Sequence, residues 1–171
     1  MKNQGFTLIE LLIYIAILAS VLVLITGFFW NIALGYIKEN SYQELQQNGR
    51  FALTKMSQEI KKAKSIISPA PGFSVNSLSL EMANPALNPT ILDLSSGKLR
   101  ITQGTGPSYE LTTDRAIVNN LQFTNLSYNN TPGTIKIELG LNHLNPGGLS
   151  EYQASINLTT TVSLLEAGAS P

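Results

Sequence analysis

The sequence predicts an α+β protein: one long N-terminal helix, half membrane-spanning and half amphipathic, packed on an antiparallel β-sheet head. Three observations predict it. Residues 11–30 are 20 consecutive uncharged residues, of which thirteen are Leu, Ile, Val or Phe. An apolar stripe at helical spacing continues beyond them, with no proline before Pro69. After Pro69-Ala-Pro-Gly72 the chain changes to short alternating runs separated by turn residues.

The apolar run is long enough to cross a hydrocarbon core as a helix. Its thirteen large apolar residues favour insertion by roughly 4–8 kcal/mol, at about 0.3–0.6 kcal/mol each. Glu10 stands at the threshold of this run. An acid costs about 2.5–3.5 kcal/mol at the centre of such a helix and less near an end, so insertion survives it. The penalty still calls for a partner. A cleaved secretory signal has an apolar core of ~7–15 residues that ends at a small-x-small site. Here apolar residues continue well past Ala16 to Ser20, so a permanent anchor is expected.

The amphipathic half is read from Ile37, Ser41, Leu45, Gly49, Ala52, Met56, Ile60, Ala63 and Ile67, spaced mostly by four. Lys38, Glu39, Glu44, Gln47, Arg50, Lys55, Gln58, Lys61 and Lys62 lie opposite. One helix is expected from about residue 6 to 64. Gly27, Gly35 and Gly49 are expected soft points in it, each costing about 1 kcal/mol against Ala. Strands are expected at 74–82, 90–94, 98–103, 109–112, 121–128, 134–141 and 153–165. Strand follows strand without an intervening helix, which predicts an antiparallel sheet with one face covered by the amphipathic half-helix.

Composition excludes several function classes. The 171 residues carry no net charge, and residues 1–64 (+3) and 65–171 (−3) differ only mildly, so no strong basic field is available for nucleic acid. The chain has no cysteine, hence no disulfide and no thiolate metal site. His143 is the only histidine and falls in a turn-rich stretch, where a surface role is expected. Asp93 and Asp114 have neither calcium-loop nor acid/base spacing. Gly104-Thr-Gly106 precedes a proline rather than a helix start, so it is no phosphate cradle. Lys55, Lys61, Lys62 and Lys64 read as a solvated helix face rather than a phosphate grip. Tyr14 reads as packing or interfacial placement. The sequons at Asn125, Asn129 and Asn157 read as chance products of polar turns. No catalytic residue, metal or cofactor is expected.

Gly5-Phe-Thr-Leu-Ile-Glu10, the apolar run and the amphipathic continuation together resemble the type IV pilins and type II secretion pseudopilins. The helix segment Gln47-Asn-Gly-Arg-Phe-Ala-Leu-Thr-Lys-Met-Ser-Gln-Glu-Ile-Lys-Lys-Ala63 resembles one branch, the W- and J-type minor pilins. So do Gly97-Lys-Leu-Arg100, Leu111-Thr112, Asn120-Leu-Gln-Phe123 and Leu158-Thr-Thr-Thr-Val-Ser-Leu164. Departures are Leu165 where the branch often has Arg, Gly49 where it has Ala, and Gly27 where major pilins carry proline. The resemblance implies a pilin-like lollipop fold: leader 1–5, transmembrane stalk 6–37, amphipathic helix 38–68, head 69–171. It implies that a prepilin peptidase cuts between Gly5 and Phe6 and that Phe6 is then N-methylated.

Cleavage there would free the Phe6 ammonium four residues from Glu10. In a bundle of parallel helices, Glu10 of one subunit would pair with the Phe6 amine of its neighbour and set the axial register. The tip-initiating member of the family often lacks this acid, so its presence points to a subunit that joins another above it. The resulting expectation is a minor pilin or pseudopilin, held in the inner membrane with an extracytoplasmic head and passing into a pilus or pseudopilus with other pilin subunits. A membrane-tethered adhesin or DNA receptor using the same export route is the alternative.

Overall fold

The computed structural model describes residues 7–128, 131 and 133–165. Helix α1 runs unbroken over Leu8–Lys62, 55 residues and about 80 Å at ~1.5 Å per residue. Nine strands follow among the described residues: β1 (Ala63–Ser68), β2 (Ser74–Val75), β3 (Leu78–Met82), β4 (Thr90–Ser95), β5 (Lys98–Gln103), β6 (Ser108–Glu110), β7 (Ala116–Asn125), β8 (Thr134–His143) and β9 (Ser155–Ser163). Their pairings are antiparallel. They form two sheets rather than the single one expected, ordered β1-β3-β4-β5-β6 and β2-β7-β8-β9. The α+β architecture, a long helix packed on an antiparallel head, is as the sequence predicts.

The stripe on α1 is what joins stalk to head. Leu45, Ala52, Met56 and Ile60 are fully buried with Gly49 among them, and they share one core with Leu78, Leu92, Phe123, Ile137 and Leu141. Burying Leu45, Met56 and Ile60 contributes roughly 5–9 kcal/mol, at about 1.5–3 kcal/mol per side chain. The helix lies mainly along β8 and β9. Two polar residues on its flanks reach toward the five-stranded sheet. Asn48 Oδ1 accepts the Thr113 N–H at 3.0 Å. Glu59, only 2% exposed, accepts from Gln103 Nε2 at 3.1 Å and from Lys55 Nζ at 2.7 Å.

The helix ends at Lys62, so residues 63–68, expected as its final turns, are strand β1 instead. Pro69 disfavours helical backbone at Ser68, and Ser65-Ile-Ile-Ser68 pairs with β3. Glu81 on β3 anchors the pair by accepting from Ser65 Oγ at 2.6 Å and Lys64 Nζ at 3.3 Å. These contacts hold the Glu81 carboxyl below its ordinary range, the Ser65 hydrogen bond foremost and Lys64 second. Ile67, last in the expected stripe, faces solvent as a result.

Gly49 is no soft point. A Cβ there would lie 2.4 Å from Leu158 Cδ1, 3.2 Å from Leu141 Cδ1 and 3.3 Å from Ile156 Cδ1. The glycine marks where helix and sheet approach most closely. A Cβ at Gly27 or Gly35 would meet nothing within 4 Å among the described residues beyond the helix's own neighbouring backbone, and the helix passes through both.

Candidate functional site

The sequence points to the start of α1, and the helix is built to begin there. Thr7 is the N-cap, and with Glu10 it forms a capping box. Thr7 Oγ1 accepts the Glu10 N–H at 3.3 Å, while the Thr7 N–H and hydroxyl donate to Glu10 Oε2 at 3.4 and 3.3 Å. The carboxylate also sits in the first turn, where the helix dipole favours negative charge. Glu10 therefore has local partners within its own chain, a role recorded in the Thr-x-x-Glu spacing but absent from the expectations above. Gly5 and Phe6, the expected processing and pairing residues, lie outside the described residues.

Around and beyond this cap the helix presents bare apolar surface. Every large apolar side chain from Leu8 to Ile25 that the span displays is exposed, as are Phe28, Phe29, Trp30, Ile32 and Tyr36. None of the most apolar stretch is buried in the protein, and α1 is long and apolar enough to cross a membrane. Polar side chains within it satisfy themselves against the preceding turn: Ser20 Oγ donates to Ala16 O and Thr26 Oγ1 to Leu22 O, both at 2.8 Å. Between Lys2 and Lys38, Glu10 is the sole charged side chain.

The secondary candidates are dispersed into structural roles. Asp93 holds Arg100 through two bonds of 2.8 and 3.1 Å across β4 and β5, and this pairing raises the Arg100 guanidinium pKa. Asp114 pairs with Lys98 at 3.0 Å. Lys55 and Lys62 flank Glu59 at 2.7 and 3.9 Å, and Lys64 pairs with Glu81. Three of the four lysines considered for phosphate are thus engaged with acids. Asn125 is buried, its amide donating to Pro69 O at 2.7 Å, which removes it as a glycosylation acceptor. Gly104 has φ +55° and passes so close to Ala86 O that a Cβ would lie 2.3 Å from it, a turn requirement unrelated to phosphate.

His143 departs from expectation. Its side chain is 6% exposed, not on the surface. Nε2 lies 3.5 Å from Glu44 Oε2, the ring stacks on Tyr152 at 6.1 Å, and Nδ1 is buried without a partner among the described residues. The turn-rich sequence around it hid this, because the loop folds back against α1 through a 3-10 turn at Ser150–Tyr152. Among the described residues no cluster of His, Cys, Asp and Glu side chains is arranged to hold a metal.

No curated protein and no solved structure matches the chain. Residues 1–26 match the family model described as the prokaryotic N-terminal methylation motif; together with an apolar helix long enough to cross a membrane, this supports a type IV pilin-like substrate of prepilin peptidase.

Proposed function

We propose that this chain is a minor pilin or pseudopilin of the W/J type, a structural subunit rather than an enzyme. Prepilin peptidase cuts between Gly5 and Phe6, and Phe6 is methylated. The mature protein then moves from the inner membrane into a type IV pilus or type II secretion pseudopilus. The observation that carries this reading is the methylation motif lying at the start of a capped helix whose apolar span is bare and holds Glu10 as the sole charged side chain between Lys2 and Lys38.

The capping box satisfies Glu10 while the helix start lies near water. When the stalk is packed among other stalks in an apolar core, an unneutralised carboxylate there is penalised. The Phe6 ammonium of a neighbouring subunit offsets that penalty at one axial offset, so lateral growth acquires a register. The head, carried on the same rigid helix, then selects which subunits lie beside it.

Glu10→Gln tests the reading. It keeps the capping box geometry and eases insertion, so membrane levels and leader removal are expected to match the natural protein, as read by intact mass. The variant is expected to be absent from sheared filaments or from crosslinks to other pilin-like subunits. Normal incorporation of the Gln variant sinks the pairing role, and an intact leader in a host that has the peptidase sinks the processing step.

A further inference from the structure

The head is threaded onto α1 in a fixed axial order. Four observations give it. The Leu165 N–H donates to Lys61 O at 3.2 Å. Leu158 and Ile156 close on Gly49. His143 meets Glu44. Gln153, Ala154 and Ser155 line a cleft with Lys38 and Tyr42. Strand β9 therefore runs beside the helix away from the apolar span, and the loop joining β8 to β9, residues 144–154, forms the end of the head nearest the span.

That loop exposes large apolar side chains beside the polar Ser150 and Gln153. Leu149 is 50% exposed, Leu144 41% and Tyr152 36%, with Pro146 and two glycines between them. Leu144, Pro146, Leu149 and Tyr152 also line a cleft of about 370 Å³ beside His143 and Arg115. The loop is held rather than loose. Leu144 N–H donates to Arg115 O at 2.7 Å, and Asn145 closes the turn with bonds of 2.7 and 3.0 Å to the Leu149 carbonyl and N–H. Nearby charges nearly cancel, Lys38 and Arg115 against Glu39, Glu44 and Glu151.

Bilayer dimensions set what faces this loop. A core of ~30 Å takes about 20 helical residues, which residues 11–30 supply, and each headgroup layer adds roughly 5–8 Å. Residues 31–37 cover about 10 Å more at ~1.5 Å each, so Lys38 emerges just outside the headgroups, a few ångströms from their outer face. Exposed Trp30 and Tyr36 suit the interfacial belt below it. Asn145, Gln153 and Ala154 of the loop share a cleft with Lys38 and Tyr42, and interfacial apolar groups reach about 5–10 Å into the headgroup boundary.

We propose that residues 144–152 form a foot by which the head rests on the bilayer surface before assembly, with Leu144, Leu149 and Tyr152 entering the headgroup layer of an uncharged or charged membrane alike. The foot would limit the tilt of the head about the stalk and hold β9 in one orientation toward incoming subunits. It rests on the reading of α1 as a membrane anchor.

The absence of native cysteine allows single-site spin labelling of the full chain in phosphatidylcholine vesicles. Labels at Leu149→Cys and, separately, Leu144→Cys are compared with Ser20→Cys in the span and Tyr128→Cys in the β7–β8 loop. Collisional relaxation by oxygen over that by a water-soluble nickel chelate is expected to be several-fold higher at positions 149 and 144 than at 128, and below the value at 20, as befits the headgroup layer. A further Leu149→Ser change is expected to lower the ratio at 144. Water-like ratios at 149 and 144 with a lipid-like ratio at 20 overturn the foot alone. A water-like ratio at 20 overturns the anchor reading and the foot with it. Disulfide-linked dimers of the Leu149→Cys variant before labelling, with no lipid contact, overturn the foot and assign the loop to a second copy instead.

Discussion

Replacing Gly49 by alanine sets two effects of opposite sign against each other. Alanine favours a helix over glycine by about 1 kcal/mol. The new Cβ, however, would start 2.4 Å from Leu158 Cδ1, where carbons prefer about 3.5–4.0 Å. Leu158 must retreat by over an ångström while fully buried Leu141 crowds the same point at 3.2 Å. Overpacking of this kind costs about 1–3 kcal/mol. The expected net effect is a loss of about 1 kcal/mol in head stability, read by urea unfolding of the detergent-solubilised chain through its β-sheet circular dichroism. Gly27→Ala and Gly35→Ala serve as controls, since a Cβ at either would meet no other side chain within 4 Å among the described residues, and neither is expected to move the head transition. Combining Gly49→Ala with Leu158→Ala removes the obstructing methyl, so the double variant should be less destabilised than the sum of the singles by about 1–2 kcal/mol. A Gly49→Ala protein more stable by the full helical preference, with additive behaviour in the double variant, would refute the close helix-sheet approach.

Two further outcomes follow from named contacts. Asn48→Leu strips the acceptor from the Thr113 N–H and is expected to destabilise the head by about 1–3 kcal/mol, with faster hydrogen exchange at the Thr113 amide as the site-specific readout. The Glu81 carboxyl titrates lower in the folded head than in the unfolded chain, so its contribution is present above the ordinary glutamate pKa of about 4.3 and is lost as pH falls below it through the folded value. Glu81→Gln should therefore flatten the acid side of the stability profile, and an unchanged acid limb would remove Glu81 from the account.

Local chemistry made much of this chain legible in advance. A membrane-length apolar run needs no tertiary partner to be recognised, because lipid replaces the missing core. The stripe through Leu45, Ala52, Met56 and Ile60 announced a buried helix face, since side chains three or four apart share one side of a helix. Strand β5 appears at the expected residues, and β4, β8 and β9 lie within two residues of expectation, because period-two alternation survives wherever one face is buried, whereas the single strand expected at 74–82 is split into β2 and β3, which join different sheets. Glu10 stood out by charge alone. Its intrachain role was equally local, written in the Thr-x-x-Glu spacing, and needed only the cap to be read.

What tertiary structure decided were the places where one stretch of chain overrules the preference of another. Residues 63–67 continue a helical spacing, yet pairing with β3 and the proline at 69 turn them into strand. The head strands divide into two sheets, and the apolar face of α1 shares one core with both, while Asn48 and Glu59 add polar bonds toward the five-stranded one. Gly49 looked like a weakness until Leu158 came against it from more than a hundred residues away. His143 looked exposed until its loop closed over α1. Periodicity reports which side of an element is buried; the distance to the next element, and what stands there, exists only once the chain has folded.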